Sequence, residues 1–228
     1  MTLLAIPLII FRISVIYSIN TKYMTFLGLK QAFGNYSVFS LAEIKMIDGN
    51  FHRRRLSEWQ ERGLIKKVIK GWYVFSDLEL DEETLFEIAN RIYKPSYVSF
   101  EMALAYYHLI PESIYGITSA STRRTYSFKT PLAGFSYRTL KPGLFFGYNL
   151  VNHRGRGFKI AAPEKAVLDY FYLNPGIEGK SDFESLRINR EAFLDQVDQR
   201  KLSSCLERVS QKSLSRRIRS FLRFIKNA

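Results

Sequence analysis

The sequence predicts an α+β fold, and three features of the 228-residue chain indicate it. Residues 37–75 predict two short helices followed by a β-hairpin. Residues 114–161 are rich in aromatic and β-branched side chains separated by turn residues, which is typical of strands. Residues 163–226 show the spacing of apolar residues that predicts helices. Because 46% of the residues are hydrophobic, the chain can form real cores in one small and one medium domain.

The N-terminal part, residues 24–80, predicts a small domain of helices and one hairpin. Its predicted elements, in order, are a helix at 37–47, a turn at 48–50, a second helix at 51–62 that ends at Gly63, and strands at 64–69 and 72–75 joined by Lys70 and Gly71. Two helices separated by a short turn with a glycine, followed by a basic hairpin, are typical of a winged helix-turn-helix. The sequence therefore predicts this motif near the N-terminus.

The second predicted helix has one apolar and one polar face when it is projected at 100° per residue. Phe51, Leu56 and Trp59 lie on the apolar side and are expected to pack on the first helix. Arginine can bond to guanine edges or to phosphates, and serine can do either. The candidate DNA-contacting residues are Arg53, Arg54 and Ser57 on the polar face, Gln60 at its edge, Asn50 as the N-terminal cap, and Lys66, Lys67 and Lys70 on the hairpin. The alternative is a solvated basic face without a nucleic-acid partner.

The net charge of +13 is unevenly distributed along the chain. Residues 1–80 carry 11 basic and 6 acidic side chains, residues 81–199 carry 14 of each, and residues 200–228 carry 9 basic and 1 acidic side chain. A neutral middle between two basic ends indicates a folded body that contacts a partner, flanked by parts that contact nucleic acid. A membrane-surface role for the tail is an alternative, but it does not explain the predicted helix-turn-helix.

The first 23 residues form an apolar segment that is interrupted by Pro7 and Arg12. The segment is short for a membrane span, and an arginine near its middle is costly in a bilayer. It also lacks the basic start of a secretory signal. Since Met24 begins a segment that resembles a proper protein start, we interpret residues 1–23 as an upstream extension. A membrane anchor and a buried or dimerising segment are the alternatives.

The residue types that carry most metal and redox chemistry are few in this chain. Cys205 is the only cysteine, which excludes an internal disulfide and favours a reducing, cytoplasmic compartment. His52, His108 and His153 fall on different predicted elements. Each histidine is therefore interpreted as a surface or half-buried polar residue, and no metal site is expected.

No group of residues in the sequence predicts catalysis. Glu164, Lys165 and Asp169 lie on one predicted helix, where Lys165 and Asp169 have the i, i+4 spacing of an ordinary surface pair. Lys180 and Ser181 resemble the end of a phosphate-binding loop, but the glycine that this motif needs at position 174 is absent. Because no nucleophile lies beside a base, the sequence predicts neither an enzyme nor a cofactor.

From residue 81 onward, the pattern predicts a second α+β domain. The predicted helices are at residues 81–92, 99–110, 163–172, 189–197, 201–209 and 213–226. The predicted strands are at 126–130, 135–139, 144–148 and 158–161, with a hairpin connection at 131–134. Pro163 falls at the first position of its helix, where a missing N–H costs little.

Two further basic surfaces are candidates for nucleic-acid contact. The aromatic residues of 126–148 can stack single-stranded bases, with arginines around them, or can form the core and rim of a sheet. In the tail, an apolar stripe is expected to dock on the preceding domain, because it would otherwise be an exposed apolar patch. The stripe consists of Leu214, Ile218, Phe221, Leu222 and Ile225. The secondary basic surface consists of Arg216, Arg217, Arg219 and Arg223, which either contact phosphates or form a solvated face.

Four segments of the middle region together resemble a known family. They are residues 96–112 (SYVSFEMALAYYHLIPE), 123–128 (RRTYSF), 134–138 (GFSYR) and 162–169 (APEKAVLD). These segments are similar to the AbiEi-type antitoxins, and the similarity runs from the region of residue 24 to that of residue 172. The resemblance implies a bacterial type IV toxin–antitoxin operon with a nucleotidyltransferase-like toxin encoded next to it. It also implies that the winged helix represses the operon and that the following domain neutralises the toxin.

The sequence and this resemblance together predict a cytoplasmic DNA-binding antitoxin that represses its own operon. Its expected partners are double-stranded operator DNA and the cognate toxin, bound directly or indirectly, with no small-molecule substrate and no membrane. The predicted domains are an apolar extension at 1–23, a winged helix-turn-helix at 24–80, an α+β antitoxin domain at 81–199 and a basic helical tail at 200–228. The alternative is an RNA- or protein-binding module whose winged helix does not contact DNA.

Overall fold

The computed structural model describes residues 23–111 and 116–227 of the chain. It has a mixed α+β fold, as the sequence predicts. The chain forms two compact units with the division between Thr84 and Leu85. Within the described ranges, no helix is both long enough and apolar enough to cross a membrane. The predictions for the apolar segment 1–23 fall outside the described residues, except for Tyr23.

The first unit, in its described part, contains three short helices and a three-stranded antiparallel sheet. In chain order, its elements are α1 (Phe26–Phe33), β1 (Phe39–Ser40), α2 (Leu41–Ile47), α3 (Arg54–Glu61), β2 (Ile65–Ile69) and β3 (Trp72–Phe75). Strand β3 lies in the middle of the sheet, between β1 and β2. The predicted hairpin is confirmed, because β2 and β3 pair antiparallel from Ile65 opposite Phe75 to Ile69 opposite Trp72.

Local sequence signals explain where α2 begins. The Ser40 hydroxyl accepts a hydrogen bond from the Glu43 N–H (3.1 Å), and the Glu43 carboxylate accepts one from the Ser40 N–H (2.8 Å). This reciprocal pair is a capping box, which satisfies two N–H groups that the helix leaves free. The Leu41 N–H donates to the Gly71 carbonyl (3.0 Å), so the start of α2 is tied to the turn of the hairpin. Gly71 has a φ of +83°, a conformation that favours glycine in this turn.

Two predicted helix boundaries in the first unit are wrong. The first helix, predicted over 37–47, begins only at Leu41, because Phe39 and Ser40 pair with β3 as a short strand. The second helix, predicted over 51–62, begins at Arg54, and its N-cap residue Arg53 makes no side-chain capping bond. Helix α1 lies in a segment to which the pattern assigns no element.

The core of the first unit is largely aromatic. The rings of Phe39 and Phe75 have centroids 4.8 Å apart, and those of Phe51 and Trp59 are 5.8 Å apart. Phe51, Leu56 and Trp59 are at most 4% exposed. The predicted apolar side of the α3 segment is therefore confirmed, and burying such rings removes a large apolar area from water.

The second unit contains a six-stranded mixed sheet with helices around it. In chain order, its elements are α4 (Glu82–Ile92), β4 (Ser96–Val98), α5 (Glu101–Tyr106), β5 (Ile117–Ser121), β6 (Tyr126–Lys129), β7 (Gly134–Thr139), a 3₁₀ turn (Pro142–Leu144), β8 (Tyr148–His153), β9 (Arg156–Ala161), α6 (Pro163–Leu173), α7 (Lys180–Ser185), α8 (Arg190–Gln196), α9 (Gln199–Val209) and α10 (Lys212–Asn227). The strand order is β6-β7-β5-β4-β9-β8, in which β4 and β9 pair in parallel, as do β5 and β7. The predicted hairpin between β6 and β7 and the proline at the start of α6 are confirmed.

The tail helices α9 and α10 pack against α6 within the second unit. Four residues of the predicted apolar stripe, Leu214, Ile218, Phe221 and Ile225, are at most 2% exposed. The ring of Phe221 lies 5.1 Å from that of Phe171 in α6. The prediction that the stripe docks on the preceding domain is therefore confirmed, and the tail is an integral layer of this unit.

Two predicted elements of the second unit are wrong in part. The helix predicted over 99–110 is confined to Glu101–Tyr106. The strand predicted over 144–148 is absent at those positions, since the chain forms a 3₁₀ turn at Pro142–Leu144 and begins a strand only at Tyr148. Gly147 has a φ of +71°, which breaks an extended run before it can form. Strand β4 and helix α7 lie where the pattern assigns no such elements.

Candidate nucleic-acid interface

The face of α3 that points to solvent carries the side chains predicted for it. Arg53, Arg54 and Ser57 are exposed, and Gln60 is half-buried at the edge. The Gln60 amide donates to the Leu56 carbonyl within the helix (3.1 Å), which leaves its side-chain oxygen as the acceptor for another contact. Two arginines and a hydroxyl are thus presented together at the N-terminal half of one helix.

The neighbouring arginine side chains of α3 have different environments. Arg55 is half-buried because its guanidinium donates to the Met24 carbonyl (2.7 Å) and lies 5.6 Å from the centre of the Trp59 ring. Arg54 is 3.5 Å from the Glu58 carboxylate, and the two side chains are 81% and 53% exposed. A surface pair of this kind contributes at most about 1 kcal/mol, so Arg54 can leave Glu58 for a stronger anionic partner.

The hairpin presents its lysines to solvent in the same unit. Lys66, Lys67 and Lys70 are exposed, whereas Ile65 and Val68 of the same strand point into the core. The pairing of β2 with β3 shifts register between Lys67 and Ile69, after the two adjacent lysines. Lys66 and Lys67 lie in the regular part of the ladder and are both exposed, on opposite faces of the strand.

A tight connection fixes the hairpin relative to α3. Gly63 has a φ of +67°, and its N–H donates to the Gln60 carbonyl (2.9 Å). The Leu64 N–H donates to the Trp59 carbonyl (2.9 Å), so β2 begins directly beside the end of α3. Between residues 51 and 75, the chain has 7 basic and 2 acidic side chains, and α3 and β2, which carry most of the basic ones, are in contact.

Asn50 does not have the role predicted for it. It is exposed in the turn before α3, and its N–H donates to the Asp48 carboxylate (3.1 Å). Since α3 begins at Arg54 with Arg53 as its N-cap residue, Asn50 lies too far upstream to cap the helix. Asn50 remains an exposed polar residue next to the basic surface.

Three of the four arginines predicted for the secondary basic surface are exposed. Arg216, Arg219 and Arg223 are exposed on α10. With Lys212 and residues of α9, they line an open groove of about 560 Å³. Arg216 also lies 4.0 Å from the Glu178 carboxylate, a distant and exposed pair.

Arg217 was assigned to this surface by the sequence pattern, and that assignment is wrong. The residue is only 4% exposed. Its guanidinium donates to the carbonyls of Phe171 (2.9 Å) and Asn174 (3.0 Å), at the C-terminal end of α6. A cation at this end of a helix satisfies carbonyl groups that the helix leaves unpaired, so Arg217 stabilises the fold and does not face a ligand.

Lys165 and Asp169 are a buried pair, and their interpretation as surface residues is wrong. Their side chains, bonded to each other, are 1% and 0% exposed. The Asp169 carboxylate also accepts hydrogen bonds from the hydroxyls of Tyr97 and Ser99, each at 2.8 Å. The Lys165 ammonium donates to the Tyr97 oxygen (2.9 Å). Sequence spacing did not reveal this cluster, because Tyr97 and Ser99 lie about 70 residues away in the chain.

The electrostatics of the buried cluster follow from its burial. Desolvation raises the pKa of the Asp169 carboxyl and lowers that of the Lys165 ammonium, and each partner offsets part of the shift of the other. Burial and the nearby Asp169 raise the pKa of the Tyr97 hydroxyl, which therefore remains a donor at every ordinary pH. The cluster is closed to solvent, and its hydrogen bonds join α6 to β4 and to Ser99.

No protein-family model matches the chain, and no curated protein matches it.

Proposed function

We propose that the first unit is a winged helix-turn-helix that binds double-stranded DNA, with α3 as the recognition helix and the β2–β3 hairpin as the wing. The order α1, β1, α2, α3, β2, β3 supports this proposal, since helix, turn, helix and hairpin follow one another as the motif requires. The capping box of α2 and the tight passage from α3 into β2 support a rigid presentation of the two elements.

The observation that carries the proposal is the joint exposure of Arg53 and Arg54 at the start of α3 and of Lys66, Lys67 and Lys70 on the hairpin. In a groove, an arginine can bond to both acceptors of a guanine, while lysines on a wing meet phosphates. We therefore assign base contact to the α3 residues, including Ser57 and Gln60, and phosphate contact to the lysines.

The rival proposal is that the same surface contacts a protein or an RNA. A protein interface usually has aromatic and aliphatic side chains at its centre, with lysine and glutamate depleted. The exposed face of α3 and the outside of β2 instead carry charged and small polar residues. The composition of the surface therefore favours a polyanion, and the gel-shift comparison below distinguishes duplex DNA from RNA.

We further propose that the chain is a non-enzymatic antitoxin that represses its own operon and counteracts a nucleotidyltransferase-like toxin. This part of the proposal depends on the resemblance of residues 96–112, 123–128, 134–138 and 162–169 to the AbiEi-type antitoxins. All four segments belong to the second unit, so we assign toxin neutralisation to that unit. A gene for a nucleotidyltransferase-like protein beside the gene for this chain would support it.

The direct test is binding to the DNA upstream of the chain's own gene, followed by footprinting and by gel shifts of variants. Arg54→Ala is expected to weaken specific binding by about 1–3 kcal/mol and to relax specificity at one base pair. Lys67→Ala is expected to weaken binding to all sequences. It should also reduce the slope of the logarithm of the binding constant against the logarithm of the salt concentration by about one. The matched control is Lys180→Gln, which replaces an exposed lysine in the second unit.

Equal and small effects of Arg54→Ala, Lys67→Ala and the control would contradict the assignment of these residues. Tighter binding of a hairpin RNA than of the upstream duplex, lost in Arg54→Ala, would favour the rival proposal.

A further inference from the structure

The strands and connecting loops between residues 113 and 163 are rich in basic residues, although residues 81–199 as a whole are neutral. Residues 113–163 contain eight basic side chains and no acidic one. The eight are Arg123, Arg124, Lys129, Arg138, Lys141, Arg154, Arg156 and Lys159. Most of the balancing acids lie before and after this stretch in the chain. Arg138 is paired with Glu101 of α5 (2.8 Å), whereas Arg123 and Arg124, just before β6, are exposed and can attract a polyanion.

An aromatic cluster lies at the β6 edge of the six-stranded sheet. Tyr126 and Phe128 of β6 are opposite Tyr137 and Phe135 of β7. Tyr137 is buried, and its hydroxyl donates to the Ala89 carbonyl of α4 (2.8 Å), so α4 covers that part of the sheet. One strand further out, Tyr126 remains 44% exposed and Phe128 is half-buried. The aromatic core thus continues beyond its covering helix to an open edge.

Tyr126 is held in place by its neighbours. Its ring is nearly parallel to that of Tyr93, at 20° with centroids 5.9 Å apart, and lies 5.3 Å from the Phe128 ring. The Tyr93 hydroxyl donates to the Arg124 carbonyl (2.7 Å), which fixes the segment leading into β6. A ring that is supported from behind and partly open to solvent can accept a further flat group without losing much freedom.

Exposed cations flank this ring. The Arg123 guanidinium lies 4.6 Å from the centre of the Tyr93 ring and donates to the Lys94 carbonyl (3.3 Å). The Arg123 N–H donates to the Ser121 hydroxyl (3.1 Å), which adds to the rigidity of the segment. Arg124 and Lys129 are exposed on either side of Tyr126 in the chain.

From this arrangement, we propose that the β6 edge is a second nucleic-acid site, for single-stranded RNA, in which Tyr126 stacks on a base while Arg123 and Arg124 contact phosphates. Stacking needs an unpaired base, which a duplex does not offer and which RNA presents in loops and ends. The site is distinct in position and chemistry from the α3 surface, which carries no exposed aromatic ring on its basic face. It does not depend on the function proposed for the first unit.

The test is the fluorescence anisotropy of a labelled uridine oligomer of about 12 nucleotides, a length suited to one stacking site. Tyr126→Ala is expected to weaken binding to the oligomer about fivefold or more, whereas Tyr126→Phe, which keeps the ring, should bind like the wild type. Arg123→Gln combined with Arg124→Gln should weaken binding mainly at low salt. Leu150→Ala, an exposed apolar residue on β8, is the matched control.

The same variants are then measured in a second background that also carries Arg53→Ala and Arg54→Ala. In this background, any binding through the α3 surface is weakened equally for all of them. In both series, Tyr126→Ala should leave the affinity for duplex DNA unchanged. Wild-type affinity of Tyr126→Ala for the uridine oligomer would overturn the proposal, and tighter binding of the thymidine oligomer of the same length would overturn the assignment to RNA.

Photocrosslinking of the unmodified protein to an iodouridine oligomer tests the site without relying on a substitution. Crosslinks at Tyr126 or Phe128 are expected. Crosslinks confined to residues 53–70 would place RNA on the α3 surface and would overturn the proposal.

Discussion

Lys165 and Asp169 form a charged pair with almost no exposure to water, at 1% and 0% for the two side chains. Such a pair contributes little compared with a well-packed apolar pair, because both charges lose their hydration. Removing only one partner strongly destabilises the fold, since it leaves the other charge buried and unpaired. The hydroxyls of Tyr97 and Ser99 stabilise the carboxylate further, so the pair acts as one hydrogen-bonded unit.

We therefore expect Lys165→Met to lower the free energy of unfolding by about 3–5 kcal/mol, because Asp169 is left without its cation. Adding Asp169→Asn should recover a large part of that loss, since an amide keeps an acceptor for the two hydroxyls but carries no charge. Urea unfolding of the two variants and of the wild type measures both values. A double variant that is no more stable than Lys165→Met would contradict the explanation.

Individual residues also show when exposure or burial can be predicted from the sequence and when it cannot. The exposure of Arg53 and Arg54 follows from a helical projection, which depends only on neighbouring residues. The burial of Lys165 depends on Tyr97, 68 residues away, and no local spacing contains that information. One local signal was available: Lys165 and Asp169 flank Ala166, Val167 and Leu168, and a helix that is apolar on nearly all sides is usually buried.

At the scale of elements, Arg217 shows how one helix stabilises the end of another. The carbonyls of Phe171 and Asn174 lie at the C-terminal end of α6, where the helix supplies no further N–H donors, and the guanidinium reaches them from α10. The sequence pattern placed Arg217 with Arg216 and Arg219 because all three are basic. Only the packing of α10 on α6 separates the structural arginine from the exposed ones.

This difference predicts opposite behaviour for two variants of α10. Arg217→Gln should lower the melting temperature, with a loss of about 2–3 kcal/mol for charged hydrogen bonds to buried carbonyls. Changing Arg216, Arg219 and Arg223 together to Gln should leave melting unchanged and weaken DNA binding at low salt but little at high salt. Thermal melting and gel shifts at two salt concentrations measure both effects. Unaltered DNA affinity of the triple variant at low salt would leave this groove without a role in binding.

The missing strand at 144–148 has a physical reason at the same scale. Phe145 and Phe146 have high strand propensity, and propensity alone predicts an extended run. Pro142 instead begins a 3₁₀ turn, and Gly147 adopts a positive φ with its Cα close to the Lys165 stem, where an added Cβ would lie 3.2 Å away. The tertiary contact with Lys165 therefore overrides the local preference, whereas the hairpins at 64–75 and 126–139 were predictable from their turn residues.

At the scale of the whole molecule, two compact units carry differently distributed charge. In the first unit, the basic residues are concentrated between positions 53 and 70. In the second, they are concentrated between positions 123 and 159, in strands and their connecting loops, and on α10. We take this distribution as the basis for separate tasks, with operator binding assigned to the first unit and toxin neutralisation to the second.

If the two units have separate tasks, operator binding can be removed without loss of toxin neutralisation. Changing Arg53, Arg54, Lys66 and Lys67 together to Gln should abolish repression of the promoter, because the proposed DNA contacts are lost. The exposed positions of these residues leave the core intact, and the variant should still restore growth when the toxin is produced. Promoter activity and growth rescue, measured on the same variant, check both outcomes. Full repression by this variant would contradict the division of tasks.

Among the described strands, β6 and β8 lie at the two ends of the six-stranded sheet, and each pairs with one neighbour. Open edges are the places where copies of a protein associate and aggregate, and a charged side chain is a common protection. The four residues of β6 include Lys129, whereas the six residues of β8 include Leu150, which is 74% exposed. We therefore expect copies of the protein to associate through β8 at high concentration, and Leu150→Lys to reduce this association, as measured by light scattering.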